Sequence, residues 1–134
     1  MKGRKPGTIV TGSRPLVKAP TAPAGLSADA RAEWRRVAPI LVERRHLTTA
    51  DLGVLEIYVT AFGNVRETQR ILARDGLVTV GPTGMLKQHP ALASQAVAMQ
   101  NARLAAAEMG LTPFSGTRLT MRGDDDADDL SFLG

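Results

Sequence analysis

The densest set of chemically capable side chains in this 134-residue chain is an acidic run, Asp124, Asp125, Asp126, Asp128 and Asp129. Clustered carboxylates can hold paired metal ions for phosphodiester cleavage, but that chemistry needs a rigid, closed cavity. Residues 123–129 are too polar to fold on themselves and read as a disordered tail. The two histidines, His46 and His89, lie on different segments and there is no cysteine, so zinc sites, disulfides and thiol nucleophiles drop out. His46 follows Arg44 and Arg45 at a helix end, where cations complement the dipole. His89 precedes Pro90 and is expected to cap or pack at a helix start. Ser27 has no histidine partner within reach in sequence. Gly81-Pro82-Thr83-Gly84 lacks the lysine and the following helix of a phosphate cradle. The remaining core carboxylates, Asp51, Glu56, Glu67, Asp75 and Glu108, are few. The expectation is a protein without catalysis, metal or cofactor.

Binding chemistry is better represented, because charge is segregated along the chain. Residues 1–18 carry Lys2, Arg4, Lys5, Arg14 and Lys18 and no acid. Residues 19–47 add Arg31, Arg35, Arg36, Arg44 and Arg45 against Asp29, Glu33 and Glu43, residues 48–110 balance, and the last eleven residues are strongly acidic. Lys2-Gly3-Arg4-Lys5-Pro6-Gly7 is similar to short hooks that lie in a narrow A·T-rich minor groove, where negative potential is enhanced. Arg31 and Arg35, four apart, are neighbours on one helix face, and with Arg36, Arg44 and Arg45 they could follow a line of phosphates. The same residues also fit an ordinary solvated face.

These groups are positioned by a mainly α chain. Residues 1–25, rich in proline and glycine, read as a flexible arm that buries too little to offset its entropy. A core domain over 26–119 and an acidic flexible tail over 120–134 follow. Ser27 caps a first helix from about Ala28 to about Arg45, with Trp34, Val37 and Leu41 on one face and a kink expected at Pro39. Thr48 and Asp51 have capping-box spacing before a second helix running to about Asp75, with Gly76 as its stop. Leu77-Val78-Thr79-Val80 and Met85-Leu86-Lys87, near residues 77–88, read as a small β-hairpin turning at Gly81–Gly84. An alanine-rich third helix spans about Pro90 to Met109, ended by Gly110, and Thr112-Pro113 could open one more short turn. No apolar run approaches the roughly 20 residues of a membrane span. The basic N-terminus has no hydrophobic stretch behind it, so a cytoplasmic location with no membrane partner is expected.

The second helix is long for so small a domain. Its stripe of Leu52, Leu55, Val59, Phe62 and Leu72 is therefore a candidate oligomer interface as well as core. In the tail, Asp128, Asp129, Leu130, Phe132 and Leu133 pair an acidic lead with apolar anchors, a pattern suited to docking on a partner. The first two helices and their short connector also have helix-turn-helix outline. A small transcriptional regulator or nucleoid-type protein is thus a competing class, and an adaptor that binds no DNA is a third.

In order and spacing the chain resembles the short phage terminase small-subunit family of cos-type tailed phages and prophages. The resemblance is carried by Lys2-Gly3-Arg4-Lys5-Pro6, Pro23-Ala24-Gly25-Leu26-Ser27, and Ala32-Glu33-Trp34 with Pro39 downstream. Leu47-Thr48-Thr49-Ala50-Asp51, Asp75-Gly76-Leu77-Val78, Lys87-Gln88-His89-Pro90-Ala91-Leu92 and Met109-Gly110-Leu111-Thr112-Pro113 complete it. The family usually has Asn where this chain has His89, and often Ser-Ala-Arg after the last proline, where this chain has Phe114-Ser115-Gly116. The resemblance implies a non-enzymatic packaging factor that forms a homo-oligomeric ring, engages double-stranded phage DNA near its packaging site, and regulates the large terminase subunit that holds the ATPase and nuclease. On that reading Lys2, Arg4, Lys5, Arg14, Lys18 and the helix-one arginines contact DNA. The second and third helices build the ring, and residues 128–133 meet the large subunit.

Overall fold

A computed structural model describes residues 14–112. Three helices, α1 (Ala28–Glu43), α2 (Leu52–Asp75) and α3 (Pro90–Glu108), are joined by a 3-10 turn at Thr49–Asp51 and a two-stranded antiparallel sheet, β1 (Val78–Val80) and β2 (Leu86–Gln88). The mainly α architecture with a small hairpin matches the sequence reading, and each boundary has a local cause.

Ser27 Oγ accepts the Ala30 amide at 3.2 Å and opens α1, with Asp29 in its first turn. The helix ends two residues earlier than expected, because Arg45 adopts φ 58. That left-handed residue lets the His46 amide reach Leu41 O and the Arg45 amide reach Val42 O, closing the last turn as a Schellman motif. The Asp51 carboxylate accepts from the Thr48 amide at 2.9 Å and the Thr48 hydroxyl at 2.8 Å, and α2 follows. Gly76, at φ 81, stops α2 as its sequence position implied. His89 caps α3: its Nδ1 accepts the Ala91 amide at 3.0 Å and its Nε2 lies 2.9 Å from Asp75. An accepting Nδ1 places the ring proton on Nε2, so the ring donates to Asp75 and ties the start of α3 to the end of α2. Arg74 first, and His89 after it, hold the Asp75 carboxyl well below the usual carboxylate range.

The core is aliphatic and shared by all three helices. Trp34, Val37, Leu41, Leu47, Leu55, Val59 and Met109 are buried in one cluster with Ala30, Ala38, Tyr58 and Ala105. On α3 the buried residues are Ala91, Ala98 and Ala105, seven apart, and Ala102 packs beside them. A seven-residue repeat of small side chains keeps one seam of α3 against α2 and lets the two antiparallel helices approach closely. The α1–α2 crossing is tight at Gly63, where a Cβ would stand 2.9 Å from Ser27 Oγ and 3.2 Å from the Ala30 nitrogen.

Residues 14–25, expected as part of a free arm, are a strap along α1. Pro15 pairs with Thr48, the Leu16 amide donates to Leu47 O at 2.8 Å, and Trp34 Nε1 donates to Pro20 O at 2.8 Å. The physical reason is Trp34, whose buried indole needs an acceptor and finds it on the strap. Leu16, Ala19, Ala22 and Leu26 then pack on the core. The expected extra turn at Pro113 and the bounds of the acidic tail lie outside the described residues.

Candidate nucleic-acid interface

The strap runs antiparallel to α1, from the α1–α2 connector beside Leu16 back to Ser27, because its contacts fall in reverse order at Leu47, Trp34 and Arg31. That pairing sets the strap beside the α1 face of Arg31 and Arg35, which line one groove with strap residues, whereas Arg44, further along, falls on a different side of the helix. Arg14 precedes the Pro15–Thr48 bridge and so sits by the connector that follows Arg44 and Arg45. Near the other end Arg31 Nη2 donates to Ala24 O at 3.1 Å, staking the strap down while leaving other guanidinium donors free. Arg44 Nη1 donates to Leu111 O at 3.4 Å. Among the described residues Lys18 and Arg35 make no hydrogen bond or ion pair, and both are exposed. Strap, α1 and connector thus carry the excess positive charge of the described chain, whereas residues 48–110 balance in sign.

Arg36 stands apart from this excess charge. Glu33 is buried at 4% exposure, and its carboxylate pairs with the Arg36 guanidinium through Nε and Nη2. The Tyr58 hydroxyl of α2 donates to the same carboxylate at 2.9 Å. Burial, and then the bond to Glu33, push the Tyr58 hydroxyl up to about 12. The triad satisfies a buried charge and pins α1 to α2. Tyr58→Phe should therefore lower stability by about 1–3 kcal/mol in chemical denaturation, because Glu33 loses a donor inside the core. Wild-type stability should also fall as pH rises above about 10, where the unfolded tyrosine ionises and the folded one still holds its proton. An unchanged denaturation midpoint for Tyr58→Phe would remove the triad from the account.

A second set of groups lies on α2 and α3. Ile57 and Val97 are 60% and 61% exposed, and both line a groove of about 710 Å³ with Glu56, Thr60, Ala93 and Asn101. Its lining comes from α2 and α3 alone. The hairpin continues the uncovered apolar surface through Val78, Val80, Met85 and Leu86, and Leu104 is exposed on α3. Sequence spacing does not single these residues out. In α3 the exposed apolar side chains do not share one stripe, since Val97 and Met99 lie on different sides of the helix.

The sequence-predicted sites divide accordingly. Arg31 and Arg35 are brought to one groove beside the strap, Arg44 is turned to Leu111 O, Arg14 and Lys18 lie on the strap and Arg45 at the end of α1, and Arg36 is spent on Glu33. Of the expected oligomer stripe, Leu55 and Val59 are 0% exposed and Leu72 is buried, while Leu52 and Phe62 are half-buried against the core. Phe62 also packs on Tyr58 and carries the Arg66 guanidinium 4.8 Å above its ring. Leu55 and Val59 have no surface left to offer a neighbour, since a stripe at helical spacing marks the face the protomer itself covers. Lys2, Arg4, Lys5 and the tail residues Asp128, Asp129, Leu130, Phe132 and Leu133 lie outside the described residues. For a helix-turn-helix reader the opening of α2 is chemically poor: residues 52–65 contain no lysine or arginine, and Glu56 faces the groove.

These features describe a small helical protein with excess positive charge on one element pair and uncovered apolar surface on another. A family model described as phage terminase, small subunit, matches residues 30–126, nearly all of α1 and everything after it to α3 and beyond. The chain belongs to this family, and membership supports a role in phage DNA packaging. Comparison with curated proteins and with solved structures finds no match. Among the described residues no helix is long and apolar enough to cross a membrane.

Proposed function

We propose that this chain is a non-catalytic terminase small subunit that holds double-stranded phage DNA by its phosphates, assembles into a homo-oligomeric ring, and hands the DNA to the large terminase subunit. The observation that carries the DNA reading is the charge of the strap and α1, where Arg14, Lys18, Arg31, Arg35, Arg44 and Arg45 outnumber the acids, of which Glu33 and Asp29 are already paired. Lys2, Arg4 and Lys5 are further phosphate contacts in this reading. Phosphate contacts of this kind supply affinity and steering without reading sequence. The ring is built from the uncovered groove of α2 and α3 and the apolar hairpin. Residues 128–133 are the contact for the large subunit. The regulator reading has less support, because the start of α2 carries no basic side chain for base edges or phosphates.

DNA binding as a function of salt tests this. Lys18, Arg31 and Arg35 changed together to alanine should weaken duplex binding more than tenfold at low salt. The slope of log K against log salt should fall by about 1 for each phosphate that is no longer neutralised. Retention of both affinity and slope would place the DNA interface elsewhere.

A further inference from the structure

Between the strap and α1 lies a second groove of about 500 Å³, and its lining combines two chemistries. The floor is apolar: Pro20, Ala22, Trp34, Ala38 and Pro39. The rim is cationic: Arg31 and Arg35 both line it. The carboxylates nearest in sequence are engaged elsewhere, Glu33 by Arg36 and Tyr58, and Asp29 by Arg70 at 2.5 Å. A phosphate backbone would use the rim and leave the floor unused. A peptide with both carboxylates and large apolar side chains would use both.

This chain contains such a peptide. Residues 124–133 hold five aspartates, followed by Leu130, Phe132 and Leu133. The described chain stops at Thr112, beside the far end of the same helix, because Leu111 O is held by Arg44. Arg35 is nine residues back along α1, roughly 14 Å at 1.5 Å per residue. Residues 113–123 can span roughly 36 Å when extended, more than twice that distance. We propose that the strap–α1 groove is the docking site of the chain's own acidic-apolar segment, residues 124–133, with aspartates on Arg31 and Arg35 and Leu130, Phe132 and Leu133 on the Trp34 floor. The docked segment shields the two arginines until DNA phosphates displace it, and displacement frees the segment for the large subunit. This last consequence rests on the DNA reading above; the docking does not.

Trp34 supplies the probe, since it is the chain's single tryptophan and its indole N–H gives one isolated NMR signal. In the full chain, Leu130→Ser, Phe132→Ser and Leu133→Ser together should shift that signal, and Arg35→Ala should shift it the same way. The triple variant should bind duplex DNA several-fold more tightly than the wild type at low salt. An indole signal identical in wild type and triple variant would overturn the docking. A shift that vanishes on dilution would assign the segment to a neighbouring copy's groove and overturn the own-chain assignment. A shift without any change in DNA affinity would support the docking and instead remove Arg31 and Arg35 from the DNA interface.

Discussion

Gly63→Leu should unfold the chain or leave α1 detached from α2. The reason is geometric: even a Cβ at this position stands 3.2 Å from the Ala30 backbone nitrogen and 3.3 Å from the Ala30 Cβ. Leucine adds further carbons toward a helix backbone that cannot rotate away. Overpacking of a core typically costs about 1–3 kcal/mol, and more when backbone must move. Lifting α1 would also expose Trp34, Val37 and Leu41, which are buried against α2. The expected loss therefore reaches a large part of the stability of a small domain, about 5–15 kcal/mol in general. Gly63→Ala should be much milder. Its contact with the Ser27 hydroxyl can be relieved only by turning that oxygen from the Ala30 amide, at the loss of the α1 cap, about 0.5–2 kcal/mol, against a gain of up to about 1 kcal/mol of helix propensity over glycine. Circular dichroism melts of the two variants check this. A Gly63→Leu protein that melts like the wild type would contradict the α1–α2 crossing.

Ile57→Asp combined with Val97→Asp should give a folded protein that no longer assembles. Both side chains are mostly exposed in the protomer, so the charges cost the fold little. In an interface between copies each carboxylate would be desolvated without a partner, with Glu56 already beside them. Truncation of a hot-spot residue costs about 2 kcal/mol or more, and in a closed assembly the loss recurs at every junction. Size-exclusion chromatography with light scattering should show a drop to single chains, with an unchanged helical spectrum. An assembly of unaltered mass would move the interface off the α2–α3 groove.

Much of the fold is legible in the sequence because its signals are local. Ser27, the Thr48–Asp51 pair, Gly76, Pro90 and Gly110 mark helix ends through caps and backbone preferences that act within one turn. The buried face of α2 follows from spacing alone. What spacing does not separate is the face a protomer covers itself from the face a neighbour covers. Leu55 and Val59 belong to the first, whereas Ile57, only two residues from each, is left exposed by the protomer. The strap escapes sequence reading for a different reason. Its proline and glycine content predicts an extended chain, which it is; what docks it is the long-range bond from Trp34 to Pro20 and the pairing with the connector, neither of which leaves a local mark. Arg36 likewise looks equivalent to Arg35 in sequence, and only the fold shows that Glu33 and Tyr58 claim it. The basic surface itself is half legible: Arg31 and Arg35 can be placed on one face of α1, but the strap beside them cannot.

The most direct test of the account is native mass spectrometry of the full chain, alone and with duplex DNA. The prediction is one closed assembly of several copies that takes up duplex and loses it as salt rises. A twofold dimer on DNA would favour the regulator reading and contradict the ring, and an assembly that takes up no DNA at any salt concentration would contradict the basic strap and α1 as its binding surface.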